Sequence, residues 1–301
     1  MSAFVGRTAA QKEFIKLFDT LTGTHSRWEV WKDMVVIMAT AISNAVDKRF
    51  FDEREKVYLD TINNRYTHEQ QKIFAELFAM LVDIMDKQAE NGEYCDFLGE
   101  LFMWMGLGND AGGQFFTPYD LCLAMARMTM DKDCLLAGIE TNGYVSINDP
   151  ACGAGATLIA AADIIRQWDI NYQQTVIFTA QDIDYTTALM CYIQLSLLGC
   201  PGYVRIGNTL ADPMTGPLLG YHLEDRAMWY TPMWFSDRIV LLQMRHGTET
   251  EKLPVATPAE TRKPKTPVAD MVEKKPSVKP EKPKEPEYTF VVRDDGQISM
   301  F

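Results

Sequence analysis

Several kinds of residue pattern are missing from this sequence, and each absence excludes a class of function. Its six cysteines (Cys95, Cys122, Cys134, Cys152, Cys191 and Cys200) include no Cys-x-x-Cys pair, and there are four histidines in all. Zinc-ligand spacing is therefore not present, and the expectation for metals is none. Several of the cysteines lie inside apolar runs, as reduced, buried thiols of a cytoplasmic protein would. No secretory-type segment opens the sequence, and no apolar run reaches the ~20 residues of a membrane helix, so a membrane is not an expected partner. Basic residues are outnumbered, 29 Lys+Arg against 41 Asp+Glu, for a formal net charge of −12. That balance opposes a broadly basic surface as the means of holding DNA. Contact with DNA would need a local groove or a partner that does the holding.

What is present is a 47% hydrophobic composition over 301 residues, enough for one sizeable core with a smaller helical annex. Residues 1–107 read as helical. Apolar residues recur at three- and four-residue spacing in Phe14-Ile15-Leu17-Phe18-Leu21, in Trp28-Trp31-Met34-Val35-Met38 and in Ile73-Phe74-Leu77-Phe78-Leu81-Ile84-Met85. Thr67 followed by Gln70 has the form of a capping box that opens the third of these. Asp96 to Trp104 predicts one more helix, stopped by Gly106 and Gly108. These aromatics and methionines read as core, and the region offers no chemistry of its own.

The chemistry collects at residues 108–246. Tyr144 to Ile147 is a β-prone run, Asp149-Pro150-Ala151-Cys152-Gly153-Ala154-Gly155 a turn, and Leu158 to Ile165 a helical run. Glycines let a backbone turn sharply and approach a ligand with no side chain between, and the helix after the turn offers unpaired N–H groups. Open α/β sheets bind ligands at the carboxyl ends of their strands, where such a turn sits. Thr175 to Ala180 predicts a second buried strand ending at Gln181-Asp182-Ile183-Asp184, with a helix over 186–198. An acid at the end of that strand is placed to accept ribose hydroxyls. Tyr203 to Ile206 predicts a third strand, ending in Gly207-Asn208-Thr209-Leu210. Three strand–loop–helix units in succession predict an α/β fold with a parallel, doubly wound, Rossmann-like sheet. Upstream, Gly112-Gly113-Gln114-Phe115-Phe116-Thr117-Pro118-Tyr119 is a glycine-rich turn into a helix from 119 to about 130, with Thr117 at the N-cap and Pro118 in the first turn.

Gly113 to Pro118, Asp149 to Gly155, Gln181 to Asp184 and Gly207 to Leu210 occur in one order. The set resembles the adenine-N6 DNA methyltransferases, and specifically the modification subunits of type I restriction systems, over residues 94–212 and in the helical N-terminal part. The resemblance implies S-adenosylmethionine as cofactor. It implies that Gln114, Phe115, Phe116, Thr117, Pro118 and Tyr119 hold the methionine end. Asp149, Ala151, Cys152, Gly153 and Gly155 would lie under the methionine and ribose. Asp182 would accept the ribose hydroxyls, with Ile183 on the adenine face. Asn208 stands where the family carries an aspartate toward the adenine amino group; an Asn oxygen accepts the same bond without charge.

The family holds a flipped adenine in an Asn-Pro-Pro-aromatic tetrapeptide, and no such tetrapeptide occurs here. The nearest match is Thr231-Pro232-Met233-Trp234, which gives Thr231, Pro232 and Trp234 as candidate catalytic residues: Trp234 to stack, the Pro232 carbonyl to accept. Losing one preorganised acceptor costs on the order of ten- to a thousandfold in rate. A second reading has Trp229, Tyr230, Trp234 and Phe235 simply covering the sheet. Asp237 to Met244 predicts one further strand, after which the apolar pattern stops, shorter than the family's catalytic domain.

From 247 to 287 the composition shifts to Pro, Lys, Glu and Thr, which predicts a disordered tether. Residues 288–301 come after it as a docking peptide. Its end, Gln297-Ile298-Ser299-Met300-Phe301, is similar to the short peptide by which bacterial DNA-processing proteins bind the replication sliding clamp, with Met300 and Phe301 in the clamp's apolar pocket and Gln297 at the rim. The alternative is a strand through Tyr288 to Val292 pairing back onto the body. The function so implied is methyl transfer to adenine N6 in DNA, of restriction-modification, phage or mobile-element type. Its partners would be DNA, a specificity or second methyltransferase subunit, and the clamp. The alternative is a methyltransferase-fold interaction protein without catalysis.

Overall fold

The computed structural model describes residues 8–108, 116–222 and 224–246, and the backbone of 290–292 and 298–300. By packing, the chain divides into Met1–Val268 and Ala269–Phe301. The first unit starts with five helices: α1 (Ala9–Asp19), α2 (Arg27–Val46), α3 (Phe51–Arg65), α4 (His68–Asn91) and α5 (Phe97–Trp104). The side chains of Thr8, Ser26 and Thr67 each accept from the N–H three residues on, and their own N–H groups donate back to the side chains of Gln11, Glu29 and Gln70, so three of these helices open on capping boxes. Asp96 caps α5 through Gly99 N. Then come α6 (Tyr119–Thr129), α7 (Lys132–Asn142), β1 (Val145–Asp149), α8 (Ala156–Gln167), the single turn α9 (Tyr172–Thr175), β2 (Val176–Asp182), α10 (Tyr185–Leu197), β3 (Gly202–Ile206), β4 (Met228–Tyr230) and α11 (Asp237–Arg245).

The sheet runs in the order β1-β2-β3-β4. The first three strands are parallel, with Asp149 level with Ala180 and Asp182 level with Ile206. The carboxyl ends that carry the motifs therefore lie side by side. Gly202 begins β3 where a Cβ would stand 1.8 Å from the Phe178 carbonyl oxygen, so only glycine allows the ladder to start there. β4 is antiparallel to β3, Tyr230 opposite Tyr203.

One apolar core joins Phe14, Trp31, Leu77 and Phe97 of the leading helices to Ile159, Phe178, Leu189 and Trp229. The boundary expected near 107 is thus not a break in packing. A second cluster (Ile177, Tyr203, Tyr230, Trp234, Ile239 and Leu242) covers the other face of the sheet. Alternation along the strands explains the division, since Ile177 and Phe178, or Tyr203 and Val204, point to opposite sides. The leading helices are also fastened to β4 by charge. Buried Asp47 binds Arg49 Nη2 at 2.6 Å and Arg54 Nη1 at 3.2 Å, and Arg54 Nη2 donates to the Met228 carbonyl at 3.0 Å. Both guanidinium groups lie on aromatic faces, Arg49 4.5 Å from Tyr221 and from Tyr230, Arg54 4.1 Å from Trp229.

Two local expectations are corrected. Residues 237–244 form the helix α11, not a strand: Ile239, Leu242 and Gln243 are buried at helical spacing while Val240, Leu241 and Met244 face outward. Thr117 does not cap α6; Pro118 occupies that position without a side-chain bond. Residues Phe290–Val292 (β5) and Ile298–Met300 (β6) pair antiparallel.

Candidate functional site

The turn after β1 takes its shape from two glycines, Gly153 at φ 53° and Gly155 at φ 100°. Both angles lie in the region that side chains disfavour. A Cβ on Gly155 would in addition come 2.9 Å from Cys191 Sγ, and one on Gly153 would meet the Phe116 ring at 3.2 Å. Asp149 ties the turn to its own ends: one oxygen accepts from Ala151 N at 3.0 Å, the other from the Thr157 hydroxyl at the start of α8.

Asp182 binds the turn from one strand over. Its Oδ2 accepts from Gly153 N at 2.8 Å; its Oδ1 accepts from Asp184 N at 2.9 Å and from Thr187 Oγ1 at 3.2 Å. Cys152 N donates to the Gln181 carbonyl at 3.0 Å. Burial pushes the Asp182 carboxyl up, the hydrogen bonds pull it down, and the net is above its ordinary range. A carboxylate offers about four lone-pair directions, and three are taken. The Thr187 hydroxyl also reaches the Asp184 carbonyl at 3.3 Å, so it can release Asp182, and two directions then accept a pair of hydroxyls. Next to it Ile183 is 68% exposed, a large apolar side chain held in the open beside a polar anchor. These residues fit a nucleoside: a vicinal diol on Asp182 and a planar ring on Ile183.

The other candidates divide. Ala151 is exposed at the turn, and Thr117 and Pro118 are exposed ahead of α6. The Phe116 ring lies against Gly153 and stacks on Phe102 with centroids 5.4 Å apart. Tyr119 is buried, its hydroxyl 3.5 Å from Asp163 on α8, so it serves the core. Cys152 is buried as well; its hydrogen bond with Cys191, then its burial, hold the thiol well above its ordinary range, which opposes a thiolate. Asn208 is exposed, and its Oδ1 accepts from Leu210 N at 2.9 Å and from Ala211 N at 3.3 Å. The oxygen expected to meet an adenine amino group is thus engaged in the chain's own turn, with the amide N–H groups left over. Gln114, Phe115, Gln297 and Phe301 lie outside the described residues, and of Met300 only the backbone is described.

Thr231, Pro232 and Trp234 are not at the site. Thr231 N donates to the Gly202 carbonyl, and its hydroxyl donates to the Cys200 carbonyl at 2.7 Å and accepts from Gly202 N at 3.1 Å. Those partners mark the amino end of β3, whereas Asp149 and Asp182 stand at the carboxyl ends. Thr231 is fully buried and Trp234 is 2% exposed among Tyr203, Tyr230 and Ile239. An antiparallel β4 carries the chain back down the sheet, so this tetrapeptide covers the sheet near the amino end of β3.

Residues that sequence reasoning missed are the supports: Thr157 on Asp149, Thr187 on Asp182, Asp184 as the cap of α10, and Thr209, whose hydroxyl bonds the Pro150 carbonyl. A cavity of about 400 Å³ opens on the side of the sheet that carries Ser146, Asn148, Thr179 and Gln181, with Pro150 and Thr209 in its wall. Its lining reaches Pro150 but includes neither the glycines of the turn nor Asp182. Among the described residues no group of three or more His, Cys, Asp or Glu side chains could hold a metal, and no helix is long and apolar enough to cross a membrane.

Residues 100–227 match the family model of the N-6 DNA Methylases. The methylase subunit of the type I restriction enzyme MpnII of Mycoplasma pneumoniae is 23% identical over 151 residues, which are 50% of this chain and 25% of that protein. The type II restriction enzyme and methyltransferase RM.BcgI of Heyndrickxia coagulans is 30% identical over 129 residues, 42% of this chain and 18% of that protein. This chain thus spans a quarter or less of the length of these two relatives. The crystal structure of the type I restriction-modification methyltransferase subunit from Streptococcus thermophilus overlays with a TM-score of 0.35 at 20% identity, covering 69% of this chain and 42% of that one. The family resemblance carried by the four ordered motifs is borne out over the matched segment.

Proposed function

From the match of residues 100–227 to the N-6 DNA methylases, we propose that this chain binds S-adenosylmethionine at the glycine turn and transfers its methyl group to adenine N6 in DNA. The observation that carries the reading is the bridge from Asp182 Oδ2 to Gly153 N at 2.8 Å, which holds a carboxylate against a side-chain-free turn beside exposed Ile183. The cofactor supplies an electrophilic methyl group on a sulfonium. The chain's own residues bind and orient: Asp182 takes the ribose hydroxyls as Thr187 turns to the Asp184 carbonyl, and Ile183 takes one face of the adenine. Gly153 and Gly155 keep the turn free of side chains, and Asp149 fixes it through Ala151 and Thr157. Acidic composition gives DNA little hold, so residence on DNA comes from a partner. In the same reading Gln297, Met300 and Phe301 dock on a sliding clamp, and a further restriction-modification subunit contributes target choice.

Calorimetry with S-adenosylmethionine and the purified chain tests the cofactor site. Wild type binds and Asp182→Ala does not; equal heats from both would refute it. The burial of Thr231 and Trp234 away from the turn favours a second reading, a cofactor-binding interaction protein without transfer. Incubation with DNA and cofactor, with measurement of the N6-methyladenine formed, separates the two, since only the enzyme forms it.

A further inference from the structure

Ala154 lies between Gly153 and Gly155, so its peptide carbonyl is flanked by the two least restrained backbone positions of the turn. Among the described hydrogen bonds that carbonyl has one partner, Gln194 Nε2 at 2.8 Å. Gln194 is on α10 and is fully buried. The same Nε2 donates to Asp96 Oδ1 at 2.7 Å, and Gln194 Oε1 accepts from Leu98 N at 3.1 Å. Both amide hydrogens and the amide oxygen are thus used, each toward a different backbone or capping group. Asp96 in turn accepts from Gly99 N at 2.9 Å, and a Cβ on Gly99 would fall 2.0 Å from Asp96 Oδ2. The geometry leaves the carboxyl one seat and the amide one orientation.

We infer that Gln194 is a positioning residue: it sets the orientation of the Ala154 carbonyl, and so of the glycine turn, by tying it to the capped amino end of α5. The inference rests on the cofactor reading for its consequence in binding, but the placement of the turn is independent of any ligand. A buried amide suits this role because it donates twice and accepts once in a single plane. The carboxylate it reaches has no cation beside it in any described contact. Burial raises the Asp96 carboxyl, and the bonds from Gln194 and Gly99 oppose that. The titratable groups that feel Asp96 are Cys95 and Glu100 on the α5 side, Cys122 on α6 and Cys191 on α10. None of them is a base that could take over the role of the amide.

Two variants of the full chain test this. Gln194→Leu removes all three bonds. Gln194→Glu keeps an acceptor for Leu98 N, but with at most one hydrogen of its own it cannot donate to both Asp96 and the Ala154 carbonyl. Ile193→Val, a neighbouring buried core change without a bond to the turn, is the control for general loosening. Hydrogen exchange measured by mass spectrometry on the cofactor-free protein reads residues 150–158. The expected result for Gln194→Leu is exchange at least about tenfold faster there than in the control, for an equal fall in Tm. In calorimetry with S-adenosylmethionine, Gln194→Leu and Gln194→Glu should each bind at least about tenfold more weakly than the control, because the turn is no longer preorganised. Exchange in Gln194→Leu equal to the control, or a cofactor affinity of both variants equal to the control's, overturns the inference. If wild type itself binds no cofactor, the proposed function falls and the exchange arm alone decides the placement.

Discussion

Asp182 and Asp47 are carboxylates that burial pushes up and hydrogen bonds pull down, with opposite net results. At Asp47 burial acts upward, but the Arg49 hydrogen bond and the charges of Arg49 and Arg54 outweigh it and hold the carboxyl below its ordinary range. A carboxyl lowered in the folded state contributes stability above its unfolded value of about 3.9, and that contribution is lost as pH falls through the lower folded value. Asp47→Asn strands two buried guanidinium groups, so urea titration should show a loss of about 3–5 kcal/mol at neutral pH, with a flatter decline below about pH 4 than wild type. At Asp182 no described cation offsets burial, and the net shift is upward. The folded state then favours the protonated form, so this group destabilises at neutral pH and the cost fades on acidification. The ionised form is the one that accepts two hydroxyls. Cofactor affinity should therefore weaken on acidification at a pH above the ordinary carboxylate range, and Asp182→Asn should lose both affinity and that pH dependence in calorimetry. Asp149, Gly153, Gly155, Asp182 and Ile183 are legible in the sequence because a strand end leading into a glycine turn constrains its residues through local backbone geometry. Thr157, Thr187 and Gln194 are not, because their partners depend on how a helix is rotated against the sheet. No local spacing reports that rotation.

The elements show the same division. Capping boxes at Thr8, Ser26 and Thr67 are written in the sequence by residues three apart, and the strands β1 to β3 by apolar runs ending at turn residues. Thr67→Ala should lower the unfolding free energy by about 1 kcal/mol in urea titration, by loss of the N-cap bond. Residues 237–245 mislead because a short apolar run suits a strand as well as a helix, and only the burial of Ile239 and Leu242 against the second cluster decides between them. β4 misleads for a different reason. Chain distance from Asn208 to Thr231 says nothing of which end of the sheet the chain has reached, and an antiparallel return puts Thr231 beside Gly202. That location makes a prediction contrary to a base-stacking role. Trp234 packs edge-on to Tyr203 with centroids 5.2 Å apart and lies 5.0 Å from Tyr230. Trp234→Ala should therefore cost about 3–5 kcal/mol of stability by urea unfolding. Below the new unfolding transition it should leave cofactor affinity within about twofold of wild type, because the site is at the other end of the sheet.

At the scale of the molecule, the chain divides by packing between Val268 and Ala269. The core runs without interruption from Phe14 to Trp229, and the Asp47–Arg54–Met228 chain of bonds crosses the same span. Removing the leading helices would therefore expose the apolar face of α10 and leave the sheet half covered. Removing the other end is a different experiment. The core side chains of both clusters come from residues 14–242. A chain ending at Val268 should therefore unfold within about 2 °C of full length in a thermal scan, since a shift of that size in a domain this large corresponds to under about 1 kcal/mol. Its calorimetric affinity for S-adenosylmethionine should also be unchanged. Under the proposed docking of the tail, retention on DNA through a clamp is what it should lose. A net charge of −12 is repelled by phosphate, and screening by salt weakens that repulsion. Binding of the isolated chain to DNA should therefore be feeble and should not fall with added salt as a phosphate-gripping protein's does. If Gln297, Met300 and Phe301 dock on a clamp, loading purified clamp onto circular DNA should raise the apparent affinity of the full chain by about a hundredfold through effective concentration. The chain ending at Val268, and a full-length Phe301→Ala variant, should show no such gain. Equal retention of all three proteins would assign the tail no part in clamp binding and return the burden of DNA contact to a separate subunit.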